Sequence, residues 1–166
     1  MTYFIIMRGP LGVGKSAISE NLAKILNAEH ISLDKVLEKH NLDKGDEKLG
    51  CIPPQNFIRA DELILPYAES VLKKGRIVIF DGCFYHREQI DDLLTKLKEY
   101  RNYAFTLKAP LEVCIQRDAG RKRVYGDGAA AAVHGLVSRF DYGTLIDTSG
   151  KTIEATFKEI LAHLPR

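Results

Sequence analysis

The sequence predicts an α/β fold in three layers, α/β/α, built on a five-stranded parallel sheet. Three observations predict it. Short apolar runs of strand length alternate with segments of helical periodicity along the whole chain, which calls for a parallel sheet covered by helices on both faces. The first run and the first helical segment are joined by Gly9-Pro10-Leu11-Gly12-Val13-Gly14-Lys15-Ser16, a G-x-x-x-x-G-K-S spacing that belongs between a strand and a helix. No internal repeat or long linker divides the 166 residues, so one domain, 1–166, is expected.

Tyr3–Met7 is a continuous apolar run, as in a parallel strand buried on both faces. From Lys15 to Asn27, Ile18, Leu22, Ile25 and Leu26 mark one face of a helix. His30–Asp34 reads as a shorter strand ending in an acidic residue, followed by a short helix over Lys35–His40. Asn41–Pro54 is polar, charged and contains glycine and proline, which makes it a loop or insertion and a place for acceptor-specific structure. Phe57–Lys74 is a longer helix in which Pro66 should produce a kink or a break.

Gly75 ends that pattern, and Arg76–Gly82 is the strongest strand in the chain. Helical periodicity returns at Ile90, Leu93, Leu94 and Leu97, and Tyr103–Lys108 is a further strand. Pro110 suits the first turn of a helix running towards Arg121. Between Arg121 and Phe140 periodicity is lost: basic residues, then glycines, then four alanines that favour a short helix. Gly143–Asp147 is the last strand, and Ile153, Phe157, Ile160, Leu161 and Leu164 define the closing helix.

The glycine-rich loop carries the clearest chemistry. Without Cβ atoms, its backbone N–H groups turn inward as an anion nest, and the following helix points its positive end at the same place. Gly9, Leu11, Gly12, Val13, Gly14, Lys15 and Ser16 are the expected triphosphate-binding set. Lys15 reaches the β- and γ-phosphates as a catalytic group, and the Ser16 hydroxyl is placed to ligate Mg²⁺.

Composition narrows the classes. Hydrophobic content of 45% and charged content of 28% are those of a globular protein. With 24 basic against 22 acidic residues, bulk charge gives no argument for nucleic acid. Cys51, Cys83 and Cys114 form neither a disulfide framework nor a zinc motif and read as structural, so a reducing, cytoplasmic compartment is expected. The apolar N-terminus, interrupted by Arg8 and Gly9, is too short for a signal peptide or a membrane span. An Asn-Lys-x-Asp run for guanine and a Leu-Ser-Gly-Gly signature are both absent, and the length does not suit an AAA+ motor with its helical subdomain. A small kinase closing over ATP and an acceptor is left.

The chain resembles the small P-loop kinases that include shikimate kinase, gluconate kinase, chloramphenicol phosphotransferase and the kinase module of polynucleotide kinase. The resemblance rests on the loop Gly9–Ser16, Asp34, the strand Ile77–Gly82, and Leu111–Arg123 with its spaced arginines. Leu145–Ser149 looks like the adenine-side corner of the group. The resemblance implies a P-loop NTPase fold of the nucleoside-monophosphate-kinase-like type with a lid, here about residues 121–140. It also implies ATP and Mg²⁺ as cofactors and a hydroxyl of a small molecule as phosphoryl acceptor.

Within that resemblance, Asp34 is the expected catalytic base and acceptor ligand, since carboxyl ends of neighbouring strands face one crevice. Asp34 equally suits the N-cap of the helix that starts near Lys35. Asp81 fits a Walker-B aspartate that holds Mg²⁺ directly or through water, with acceptor binding as a second possibility, and Gly82 would let the acceptor approach the backbone. Arg117 is expected against adenine, and Arg121 or Arg123 at the phosphates, with Arg121 stabilising transferred charge. Gly126, Gly128 and Gly135 offer hinge freedom to the lid, and Arg139 is either a residue that enters the site on closure or a surface ion-pair partner. Arg59 and Arg87 are candidates for an anionic acceptor, whereas His86 and His134 read as ordinary loop residues.

A monomer or homodimer without a membrane partner is expected. Two further readings stay open: a nucleoside or polynucleotide 5′-hydroxyl kinase, for which nucleic acid would be the partner, and a non-catalytic ATP-binding regulator. Gluconate and shikimate signatures are absent, so neither acceptor transfers to this chain.

Overall fold

The computed structural model describes residues 2–120 and 127–165. Five strands, β1 (Tyr3–Arg8), β2 (Glu29–Ser32), β3 (Val78–Gly82), β4 (Arg101–Lys108) and β5 (Thr144–Asp147), form one sheet in the order β2-β3-β1-β4-β5. Every pairing is parallel, with Met7 opposite Asp81 and Phe105, and Asp81 opposite Ser32. The helices are α1 (Lys15–Leu26), α2 (Leu33–Lys39), α3 (Pro54–Lys73), α4 (Arg87–Lys96), α5 (Leu111–Ala119), α6 (Asp127–Val137) and α7 (Ile153–Ala162).

The two-residue repeat of β1 divides the core. Tyr3, Ile5 and Met7 pack with Ile18 and Leu22 of α1, Cys114 of α5 and Ile160 of α7. Phe4 and Ile6 point the other way, towards Ile64, Ala68 and Val71 of α3 and Ile90 and Leu93 of α4. Because α1 leaves β1 on one face and α4 leaves β3 on the other, a crevice opens at the carboxyl ends of these adjacent strands.

Several boundaries depart from expectation. β2 ends at Ser32, and Asp34 lies in the first turn of α2 rather than at the end of a strand. It is not the N-cap either, because Ser32 takes that position and its side chain accepts from the Lys35 N–H. Pro66 does not break α3, which is a single element from Pro54 to Lys73. Pro66 and Glu62, whose carbonyl loses its donor, both lie on the exposed side, while Ala60, Ile64, Ala68 and Val71 hold the helix to the core. Pro110 caps α5 from outside, one residue before its start.

The largest difference is α6. Gly128 and Gly135 lie within a helix instead of acting as loop hinges, and Ala130, Leu136 and Val137 are buried. Burial of one face outweighs the cost of about 1 kcal/mol per helical glycine. Arg121, Arg123 and Gly126 lie outside the described residues, as does the start of the expected lid.

Candidate functional site

Gly12 and Gly14 set the shape of the loop. Both have positive φ, 78° and 101°, and a Cβ on Gly12 would overlap the Cys114 carbonyl oxygen of α5. Gly14 is also the N-cap of α1, so the loop runs directly into the helix whose positive end faces the cavity. Lys15 is buried and its Nζ donates to the Pro10 carbonyl at 3.2 Å, folded along the loop it belongs to.

The loop lines a cavity of about 560 Å³. Leu11, Gly12, Val13, Gly14, Lys15 and Ser16 face it, whereas Gly9 sits behind them, packed against Val13 and Leu107. Four cationic residues border it, Lys15, Lys35, Arg117 and Lys151, together with the acidic Glu20, Asp34 and Glu38. An apolar floor, a backbone nest and converging cations suit a nucleoside triphosphate.

Arg117 fixes the loop to the far end of the sheet. Its Nη1 donates to the Val13 carbonyl at 3.1 Å and to Thr148 Oγ1 at 2.8 Å, and its Nη2 donates to the Thr148 carbonyl at 2.8 Å. Thr148 Oγ1 in turn donates to the Lys108 carbonyl at 3.3 Å. This joins α5, the loop and the segment after β5 beside one wall of the cavity, where the adenine side was expected.

Asp81 stands behind the cavity wall. Its side chain is only 2% exposed and does not line the cavity. Its Oδ2 accepts from Nε2 of His30 at 2.9 Å, and His30 does line the cavity. Ser16 therefore remains as the member of the expected Mg²⁺ pair that reaches the cavity surface. Among the described residues, no group of three or more His, Cys, Asp or Glu is arranged to hold a metal. That donor set fits an ion carried largely on phosphate oxygens and completed by one or two protein oxygens.

A second cavity, of about 440 Å³, adjoins the first. Leu11, Asp34 and Glu38 line both. Its walls come from α2, the start of α3, the segment after β3, the loop after α2, and α6. The α2–α3 loop is held in place over it. Asp46 pairs with Cys51 across a turn, and its Oδ1 accepts from the N–H groups of Lys48 and Leu49, both at 2.9 Å. The Ile52 N–H donates to Tyr85 Oη at 3.1 Å, and His86 Nε2 donates to the Ile52 carbonyl at 2.7 Å. Burial pushes the Tyr85 phenol above its usual range, which keeps it protonated.

Other expected residues lie elsewhere. Arg59 is exposed, pairs with Glu62 at 2.9 Å, and lines neither cavity. Gly82 is buried at the end of β3 with Leu33 and Phe84 against it, also away from both cavities. Arg87 lies over the Phe140 ring. His134, assigned no task by the sequence, anchors α6 through a 2.9 Å bond from Nε2 to the Ala109 carbonyl.

Arg8 is the residue that sequence reasoning overlooked. It is 1% exposed and donates from Nε to the Phe84 carbonyl at 3.0 Å, from Nη1 to Thr106 Oγ1 at 3.2 Å, and from Nη2 to the Val137 carbonyl at 2.7 Å. Its guanidinium also lies over the Phe140 ring, 4.2 Å from the centroid. One side chain thus fastens the segment after β3, β4 and the end of α6 behind the loop.

Comparison with known proteins agrees with this architecture. Residues 4–141 match the family model AAA_33, described as an AAA domain, and the chain belongs to that family. Among solved structures, a sugar kinase from Janibacter sp. HTCC2649 is similar with a TM-score of 0.73 and 16% identity, over 98% of this chain and 94% of that one. The APS kinase of Mycobacterium tuberculosis, in complex with AMPPNP and APS, gives a TM-score of 0.69 and 16% identity over 97% and 96%. The tunicamycin resistance protein of Deinococcus radiodurans gives 0.67 and 22% over 98% and 95%. The fold is that of the P-loop kinases, with small-molecule kinases among its structural neighbours. Among the described residues no helix is long and apolar enough to cross a membrane.

Proposed function

We propose, from the family and from the two joined cavities, that the protein is an ATP-dependent kinase that phosphorylates a hydroxyl group of a small molecule. One observation carries the reading: Asp34 lines both the cavity under the glycine-rich loop and the cavity beside it. A carboxylate at the seam lies where an acceptor hydroxyl and a γ-phosphate would meet.

In this reading the loop N–H groups and the α1 N-terminus hold the β- and γ-phosphates. Lys15 leaves its contact with Pro10 and follows the charge on the γ-phosphoryl oxygens. Ser16 would hold Mg²⁺, which offsets charge on the β- and γ-oxygens when bound. The acceptor oxygen forms a bond to the γ-phosphorus while the bond from that phosphorus to the β–γ bridging oxygen breaks. ADP takes that electron pair, and the hydroxyl proton passes to an Asp34 carboxylate oxygen. Arg117 keeps the loop and the adenine-side wall in register, and His30 and Asp81 brace the phosphate end. Arg121 or Arg123 would reach the phosphates, with Arg121 stabilising the transferred charge.

The reading is tested with γ-labelled ATP, Mg²⁺ and a panel of hydroxyl compounds, following label transfer to an organic product. A labelled phosphate ester and an equal amount of ADP are expected with at least one member. ATP binding without any transfer, coupled to capture of a partner, would instead favour a nucleotide-dependent regulator. Transfer only to 5′-hydroxyl oligonucleotides, weakening steeply with salt, would favour a polynucleotide kinase.

A further inference from the structure

The phenol of Tyr85 brings a spare hydrogen-bond donor to the wall of the second cavity. Its ring packs edge-on against Phe57 and His86, with centroids 5.1 and 4.8 Å apart, which fixes where the hydroxyl sits. Oη accepts from the Ile52 N–H at 3.1 Å, and Ile52 and Tyr85 both line the cavity. That bond occupies the oxygen from the side of the loop and turns the phenol proton away from the Ile52 backbone. The proton has no acceptor among the described residues. Burial keeps the phenol protonated, and the ionisable groups that add to this through space, Cys51, Cys83 and Asp34, all line the same cavity. The hydroxyl itself, and not only the ring, therefore stands at the cavity. Leu37, Phe57, Val133 and Leu136 make the wall around it apolar.

We infer that Tyr85 selects the phosphoryl acceptor by donating from Oη to an oxygen on it other than the hydroxyl that is phosphorylated. The inference rests on the kinase reading of the same site and narrows it to alcohols with a second oxygen, such as a diol, a hydroxy ether or a hydroxy ketone. An oxygen placed at Oη takes over the bond that solvent gives up when the cavity fills. A ligand presenting only carbon there strips the phenol of water and leaves a buried donor unpaired. The donor is also held in advance. Ile52 is fixed from both sides, its N–H on Tyr85 and its carbonyl on His86, so little ordering is left to the bound state. Asp34 and Tyr85 then divide the work, one at the reacting hydroxyl and the other on the body of the acceptor.

The test uses four benzyl alcohols of matched shape, binding being measured by calorimetry without ATP. The 3-methoxy and 4-methoxy compounds carry an ether oxygen where the 3-ethyl and 4-ethyl compounds carry a methylene. At least one methoxy compound is expected to bind about tenfold more tightly than its ethyl counterpart. Tyr85→Phe should abolish that preference and leave the ethyl compound within about twofold of its original affinity. His86→Ala, which frees the Ile52 carbonyl but keeps the phenol, should preserve the preference. Three results overturn the inference: no preference for oxygen, a Tyr85→Phe variant that weakens both members of a pair equally, or no binding of any probe. An equal loss would mean that Tyr85 serves only to anchor the loop. Phosphorylation from ATP is followed separately. Oxygen-dependent binding without a phosphate ester would uphold Tyr85 as a ligand donor while removing the transfer, whereas transfer indifferent to the second oxygen would do the reverse.

Discussion

Nε2 of His30 donates a 2.9 Å hydrogen bond to Oδ2 of Asp81, tying β2 and β3 together beside the loop cavity. The aspartate is buried and the histidine faces the cavity, so the pair turns a Walker-B-like position into a braced carboxylate behind an imidazole. Removing the imidazole leaves a buried carboxylate short of a donor. His30→Ala is expected to lower stability by about 1–3 kcal/mol in urea titration. The double variant with Asp81→Ala should lose less than the sum of the single losses. Strict additivity would mean that the two side chains do not support each other.

Arg117 joins the Val13 carbonyl to Thr148 with three donated bonds. Lysine keeps the charge but cannot span both partners with a planar fork. Arg117→Lys should therefore raise the KM for ATP by about tenfold with a smaller change in kcat, measured by ADP release. An unchanged KM would show that the loop holds its shape without the clamp.

The five strands and the glycine-rich loop were legible because each is local: an apolar run, a spacing, a following helical face. Asp34 was legible as a candidate, and it lines both cavities, but its setting was not legible, since Ser32 captures the cap and moves the start of α2 two residues earlier. Arg8 had no local signal at all. Its acceptors come from Phe84, Thr106 and Val137, which only the finished sheet and α6 bring together. The second cavity was hidden for the same reason, with walls from six separate parts of the chain. The glycines of this stretch read as hinges and only the four alanines as a short helix, yet burial of Ala130, Leu136 and Val137 makes Asp127–Val137 one helix.

Burial lowers the pKa of Arg8 to about 10, so it remains charged at neutral pH and relies on its three acceptors and the Phe140 ring. Arg8→Met keeps much of the apolar stem but removes every donor. A loss of about 2–5 kcal/mol is expected in chemical denaturation, from buried carbonyls left unpaired. Native-like stability of this variant would refute the role given to Arg8 in fastening α6.

Asp61 lies between α3 and α4 with no exposed surface, and burial pushes its carboxyl up to about 8. Gln89 Nε2 donates to Oδ1 at 3.3 Å, while Oδ2 and Gln89 Oε1 have no hydrogen-bond partner among the described residues. The folded state therefore holds a proton that the unfolded chain releases near pH 4. Between these values folding binds the proton, so Asp61's contribution is full below about pH 4 and is lost progressively as pH rises to about 8. Asp61→Asn should flatten this part of the stability profile and raise Tm at pH 8, because an amide carries no charge to desolvate. A profile as steep as before, from thermal melts across that range, would contradict the assignment.

The central claim is that Asp34 joins a nucleotide site to an acceptor site. Single-turnover transfer of labelled γ-phosphate to the best acceptor of the hydroxyl panel, compared between Asp34→Asn and the unaltered protein, tests it most directly. The account predicts ATP affinity unchanged and a transfer rate lower by about 10²–10⁴, the contribution of a positioned general base. Transfer at the original rate in the Asp34→Asn protein would contradict it.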